Sequence, residues 1–439
     1  MSTSGTTLST AQRDRAAGVL LGAAVGDALG SGRASGPLTW SANTAATVAI
    51  AEIASSGADL RQQSSLDYIA ERWRWLGRTG IQTAPGNSAL VRAAPIALSG
   101  LADLTSLTTA VHAVTALTHQ DAESAEACML WCAAIRHAVL SGTLDARIGT
   151  GQLDPQGQVM WERRLTQAEE AAPTVFAAEN GGVVAALQVA WSAIANTALP
   201  EHDPRSSMFR SDHLRTVIEA AAQIGGDSAA VASIAGALVG GAYGAAAVPW
   251  QWRIGLRGWP GLNSRGLVHL AERITDRGRP RPLDRTYAAW QGYPSPVRHP
   301  HDTQLWLGAA ASLRTPPAGV DAVVSLCRIA DGDIPAGVIH LDVRLDEETT
   351  ADLDFVLVDT VRALEALRAN GRTVFLHGLR ATSRTPAVAA LYGARRSGTD
   401  IESSLDDVVT TLPQAEPSAR LVAALHRVHP VGAPDAGAR

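Results

Sequence analysis

The residue with the most chemical potential in this chain, near the start of its organising stretch, is Asp227. It follows Gly225-Gly226 and leads residues 228–244, SAAVASIAGALVGGAYG, a small and apolar run with no proline until Pro249. Two glycines suit a tight bend, since glycine accepts backbone angles closed to other residues. An aspartate placed next can cap the helix that begins there, or hold a ligand with the same oxygens. Asp27, near the end of a second helical pattern, is open to the same two readings. The turn Gly86-Asn87-Ser88 offers backbone N–H groups and an amide to a phosphate or sugar. The plainer reading is a helix-start turn with Arg92 solvated. His119 precedes another helix and is either a cap or an acid–base group. A carboxylate beside an oxocarbenium-like centre, with another group handling the proton, can cleave an N-glycosidic bond. Asp227, Asp27 and His119 are the candidates for that work, with Asn43 and Asn87 as binders.

These groups need a large scaffold to hold them. At 439 residues the chain exceeds one ordinary domain, and two or three are expected. With 46% hydrophobic and 18% charged residues it can bury a substantial core. A net charge of −5 argues against a general nucleic-acid binder. Cys128, Cys132 and Cys327 make no disulfide framework. The first two lie one helical turn apart and read as packed core, since no cysteine or histidine nearby completes a zinc set. The opening MSTSGTTLSTAQRDR lacks the apolar run of a signal peptide, and the apolar stretches fall short of a membrane span. A cytoplasmic protein is expected.

Residues 1–10 read as a polar tail, and residues 11–276 as an all-α domain. Ala17, Leu20, Leu21, Ala24, Val25 and Leu29 predict a helix ending near Gly30. Further helical patterns cover 126–140, 181–195, 214–222 and 264–273, while Asp154-Pro155-Gln156-Gly157 reads as a loop. Residues 277–300, rich in proline and arginine, read as a linker. In 301–430 the β-rich runs 322–328, 338–343 and 373–376 alternate with helical patterns at 353–369 and 385–395, which predicts an α/β domain. Residues 431–439 are a second tail. His299, His301 and Asp302 read as a solvated loop, with a metal site as the lesser alternative.

The stretch from Gly225 is similar to the ADP-ribosylglycohydrolase signature GGDTDTxAAIAGALxGAxYG. Residues 14–30, DRAAGVLLGAAVGDALG, resemble that family's opening helix, and APGNSALVRAAP at 84–95 resembles its GNGALMRxAP. Thr118-His119 matches as well. The resemblance covers about residues 11–276 and implies a substrate of ADP-ribose joined to a protein side chain or another small group. It also implies two magnesium or manganese ions, held by GGDTDT and by a T-D-D-T run. Here those positions are Asp227, Ser228, Ala229 and Ala230, and Ser41, Ala42, Asn43 and Thr44. The loop after the first helix also lacks the family's glutamate. A hard divalent cation needs several oxygens and alanine has none, so no metal cofactor is expected. Ser41, Asn43, Thr44, Gly86, Asn87, Ser88, Asp227 and Ser228 are the expected ligand contacts. The expected partner is an ADP-ribose-like nucleotide or an ADP-ribosylated protein.

Residues 373–376 run into HGLRATSRTPAVAALYGAR, which resembles the cysteine-dependent dual-specificity phosphatases and their H-C-x5-R-[ST] signature. In that family loop N–H groups and an arginine hold the phosphate while a thiolate attacks phosphorus. His377, Arg384 and Thr385 match, but Gly378 stands at the cysteine position, and the usual loop glycine is replaced near Thr382. Asp342 and Asp346 lie upstream, where the family keeps its general acid. The loop of His377, Gly378, Arg380, Ser383, Arg384 and Thr385 is expected to hold a phosphate or sulfate without turnover, or to stand empty. Cys327 reads as core. The leading expectation is a binding protein with two inactive centres. The alternatives are a metal-independent glycosidase and a purely structural partner protein.

Overall fold

Ser9 opens the first helix with a capping box: its Oγ accepts from the Gln12 N–H at 3.2 Å, and its own N–H donates to Gln12 Oε1 at 2.9 Å. That helix, α1 (Thr10–Gly30), is followed by α2 (Ala42–Ser55), α3 (Ala122–Ser141) and α4 (Ser228–Tyr243). The computed structural model describes residues 7–32, 37–80, 86–279 and 295–429. Ala84 and Pro85, most of both tails and most of the predicted linker lie outside them. Two compact units are present, the first formed by Met1–Leu199, Asp212–Val248 and Gly255–Arg281. The second is formed by Pro200–Ser211, Pro249–Ile254 and Pro282–Arg439.

The helical unit is built on an antiparallel pair, α1 against α4, in direct backbone contact. Gly18, Gly22, Gly26 and Gly30 of α1 face Gly240, Gly236, Ala232 and Ser228 of α4 in one unbroken register. A Cβ on any of these four α1 glycines would fall within 3 Å of the opposite backbone. The stripe therefore lets two helices touch where side chains would hold them 8–10 Å apart. It also brings the end of α1, with Asp27, to the start of α4, with Asp227. Trp131 on α3 donates its Nε1–H to the Ile234 carbonyl at 3.1 Å, closing the far side of α4. Cys128 and Cys132 are packed in this core, and burial takes the Cys128 thiol up to about 12.

The other predicted helices are found as Val183–Ala195, Asp212–Ala222 and Ser264–Thr275. One expectation is corrected. Asp154-Pro155 does not mark a loop but starts a helix, Pro155–Glu170, with Asp154 Oδ1 accepting from the Gly157 N–H at 2.7 Å. Proline in the first helical position lacks an N–H that would be unsatisfied there anyway, so Asp-Pro serves as well for a helix start as for a turn. No described helix is long and apolar enough to cross a membrane.

The second unit is α/β. Its strands are β1 (Val297–His299), β2 (Asp302–Ala309), β3 (Ala322–Ser325), β4 (Ile339–Asp342) and β5 (Val374–Gly378). They lie in the order β1-β2-β5-β3-β4, antiparallel within the first pair and parallel thereafter. Helices α5 (Leu353–Ala369) and α6 (Arg384–Ser397) fall where the helical patterns were read. Cys327 lies beyond the end of β3, in a cluster with Val323 and Phe375.

The His299–Asp302 cluster corrects a second expectation, since it is no solvated loop. It turns the β1–β2 hairpin, and both His299 and Asp302 are buried. His299 Nε2 is 3.0 Å from the Ala389 carbonyl, and the His301 N–H donates to His299 Nδ1 at 3.1 Å. Burial pushes Asp302 upward, yet Arg368, the Tyr392 hydroxyl and the Gln304 N–H hold it down at about 2. These partners leave the cluster structural.

Candidate ligand site and oxyanion loop

Asp27 is wholly buried, and four donors saturate its carboxylate. Oδ2 accepts from the Ser41 N–H at 2.9 Å, the Thr44 N–H at 3.0 Å and the Thr44 hydroxyl at 2.7 Å. Oδ1 accepts from the Ser41 hydroxyl at 2.6 Å, whose oxygen in turn accepts from the Asn43 N–H at 3.1 Å. Burial raises the Asp27 pKa, while the four donors oppose that rise. The carboxylate thus satisfies the orphan N–H groups at the start of α2, and both hydroxyls point inward to it. Asn43 sits half-buried in the first turn of α2.

Asp227 caps α4, with Oδ1 accepting from the Ala230 N–H at 3.3 Å and Oδ2 from Asn87 Nδ2 at 2.9 Å. It stays partly exposed, and a carboxylate with two donors retains lone pairs for more. Ser228 is turned away, donating to the Gly30 carbonyl at 2.9 Å. Gly225 and Gly226 both take positive φ, 90° and 60°, as the tight bend requires. The residue that holds this bend, Asn180, was missed from sequence. Its Oδ1 accepts from the Asp227 N–H at 2.9 Å, and its Nδ2 donates to the Gly225 carbonyl at 3.0 Å. Its carbonyl receives Asn87 Nδ2 at 2.8 Å. The available signal was Asn180-Gly181-Gly182 just before a helical pattern, a turn sequence with no chemical flag of its own.

The Gly86-Asn87-Ser88 turn joins three of the predicted residues. Gly86, at φ 94°, donates its N–H to His119 Nε2 at 3.0 Å. Asn87 reaches Asp227, and the Ser88 carbonyl accepts from Arg92 Nε at 2.7 Å. Because Nε2 accepts, the neutral His119 carries its proton on Nδ1, 2.8 Å from the Thr118 hydroxyl. Burial, and then the charge of Arg92, lower its pKa. His119 therefore braces the turn with both ring nitrogens. Arg92 corrects the solvated reading: it is 3% exposed, lies 4.2 Å over the Trp73 ring, and burial takes it down to about 10.

In the second unit the loop after β5 leads into α6 beneath the ends of the parallel strands. Its left-handed residue is Ala381, φ 59°, next to Thr382, a backbone region that favours glycine. A Cβ on Gly378 would stand 3.0 Å from Thr385 Oγ1, a buried hydroxyl with no partner among the described residues. His377 is wholly buried under the loop, 2.7 Å from the Ser325 hydroxyl, which is also 2.9 Å from His340 Nε2. Arg384 directs NH1 to the carbonyls of Leu326 and Leu345 at 3.0 and 3.1 Å. Ser383 donates to Glu347 Oε2 at 2.7 Å, and Arg380 is exposed. Asp346 caps its own turn by accepting from the Glu348 and Thr349 N–H groups, and Asp342 Oδ1 is buried with no partner among the described residues.

Buried neutral histidines set a pH dependence. Burial lowers His119 and His213, and takes His299 to about 4 and His377 to about 3. Each binds its proton more readily in the unfolded chain. Their stabilisation is therefore full above the ordinary value of 6.5 and is lost as pH falls toward the folded values. The melting temperature at about pH 5 is expected below that at about pH 7.5. An equal or higher value at the acid pH would refute this.

Among the described residues, no group of three or more His, Cys, Asp or Glu side chains is placed to hold a metal ion. Comparison with curated proteins gave no match. Among solved structures, an ADP-ribosylglycohydrolase-related protein complex is 21% identical, covering 61% of this chain and 99% of its own, with a TM-score of 0.45. Human DUSP28 is 27% identical over 31% of this chain and 93% of its own, with a TM-score of 0.29. A mouse putative dual specificity phosphatase complexed with zinc tungstate is 26% identical over 32% and 89%, also at 0.29. The family profile described as ADP-ribosylglycohydrolase matches residues 8–283, more than half of the sequence and all of the helices around Asp27 and Asp227. The chain belongs to the ADP-ribosylglycohydrolase family.

Proposed function

We propose that the helical unit binds ADP-ribose, a related nucleotide or an ADP-ribosylated protein without metal-dependent hydrolysis. The α/β unit, in this reading, is a phosphatase-like module that holds an oxyanion without turning it over. One observation carries the first part: the three hydroxyls left at the family's metal positions are bonded inward. Ser41 and Thr44 donate to Asp27, and Ser228 donates to the Gly30 carbonyl. Ala42, Ala229 and Ala230 offer no side-chain oxygen. Asp227 is then the one carboxylate at those positions with lone pairs to spare, too few anionic donors to offset dehydration of two divalent ions. The residues do not fit the metal pair.

Asp227 suits another task. Held by Asn87 and the Ala230 N–H, its remaining lone pairs can accept from the vicinal hydroxyls of a ribose. The glycosidase alternative needs a second group for the proton, and both candidates are engaged. Asp27 is saturated, and His119 braces Gly86. Asp227→Ala is accordingly expected to weaken ADP-ribose binding by about tenfold or more, the loss of one or two charge-assisted hydrogen bonds. Unchanged affinity in a calorimetric titration would remove Asp227 from the site.

A further inference from the structure

The loop after β5 already has a carboxylate against it. Glu347 Oε2 accepts the Ser383 hydroxyl at 2.7 Å, and its Oε1 lies 3.5 Å from Arg384 Nε. Both partners stand at the start of α6, a helix of 14 residues whose first turn favours negative charge. Glu347 is held there from behind. The Asp346 N–H donates to Thr350 Oγ1 at 3.0 Å, Asp346 Oδ1 caps the two residues after Glu347, and Arg420 donates to the Glu347 carbonyl at 2.7 Å. Ser383 is fixed as well, since its oxygen accepts the Ser418 N–H at 3.0 Å. A second observation points to a ligand larger than this carboxylate. Thr385 Oγ1, wholly buried and with no hydrogen-bond partner among the described residues, lies in this same loop, 3.0 Å from where a Cβ on Gly378 would stand.

We propose that Glu347 is a built-in occupant of the oxyanion loop, and that a tetrahedral oxyanion must displace its carboxylate to reach Arg384 and Thr385. This rests on the reading of the loop as an oxyanion site. A carboxylate and a phosphate compete for the same donors, and Glu347 does so at the high effective concentration of an intramolecular group. Its fixed turn makes that competition constant, so the native chain binds free phosphate weakly.

The test is calorimetric titration of the full chain with inorganic phosphate, for the native protein, Glu347→Gln and Glu347→Ala, each also carrying Arg384→Met. Removing the charge is expected to tighten phosphate binding about tenfold in both single variants, and Arg384→Met is expected to abolish it. Equal binding by native and Glu347 variants, still lost with Arg384→Met, would overturn the plug and leave the oxyanion loop standing. If melting curves show all variants folded and none binds phosphate, the oxyanion reading fails and the plug with it.

Discussion

Gly22→Ala is expected to cost the helical unit about 3 kcal/mol or more, and Gly22→Leu to prevent its folding. A Cβ at Gly22 would run into the carbonyl of Gly236, and one at Gly236 into that of Gly22, so neither helix can yield without breaking the register of the pair. Backbone is the obstacle on both sides, which leaves no flexible side chain to move aside. Gly77 is the control. It lies within the helix Gln63–Arg78 with nothing within 4 Å of a Cβ. Alanine there should be neutral, or stabilise by about 0.5–1 kcal/mol through helix propensity. Denaturant unfolding of the two variants decides the matter. A loss below about 1 kcal/mol for Gly22→Ala would contradict the close packing of α1 on α4.

The second large effect is expected at Asp27, where alanine would leave four donors of Ser41 and Thr44 without their acceptor inside the protein. Such groups cost about 1–3 kcal/mol each when they cannot relax to water, so a total near 4 kcal/mol is expected for Asp27→Ala. Asparagine should do much better. Its Oδ1 can take the three donors now on Oδ2, while its Nδ2 faces Ser41 Oγ, which can turn to accept. A catalytic carboxylate would show the reverse pattern, with both substitutions harmless to stability and both destroying activity. Thermal melts of the two variants separate these roles.

The landmarks around Asp227 were legible in the sequence because they are local. A glycine pair, an acid and a small-residue run lie side by side. What the acids do was not legible. Whether Asp27 serves a ligand or a helix start depends on Ser41 and Thr44, which fold back on it across a loop. Asn180 escaped notice because its partners are Asp227 and Gly225, far along the chain, and a lone Asn-Gly turn signals nothing by itself. The β1–β2 hairpin was read as solvent-facing because His299, His301 and Asp302 are polar. The burial of His299 and Asp302 rests on Ala389, Arg368 and Tyr392, and half-buried His301 lies against Asp407, all residues supplied from much later in the sequence. Tertiary hydrogen bonds, unlike helical periods, leave no spacing to read.

The most direct test of the central claim is calorimetric titration of the full chain with ADP-ribose, once in excess chelator and once with manganese. Equal affinity in the two conditions is predicted, with no hydrolysis of an ADP-ribosylated peptide in either. Binding or hydrolysis that appears only when manganese is added would contradict it.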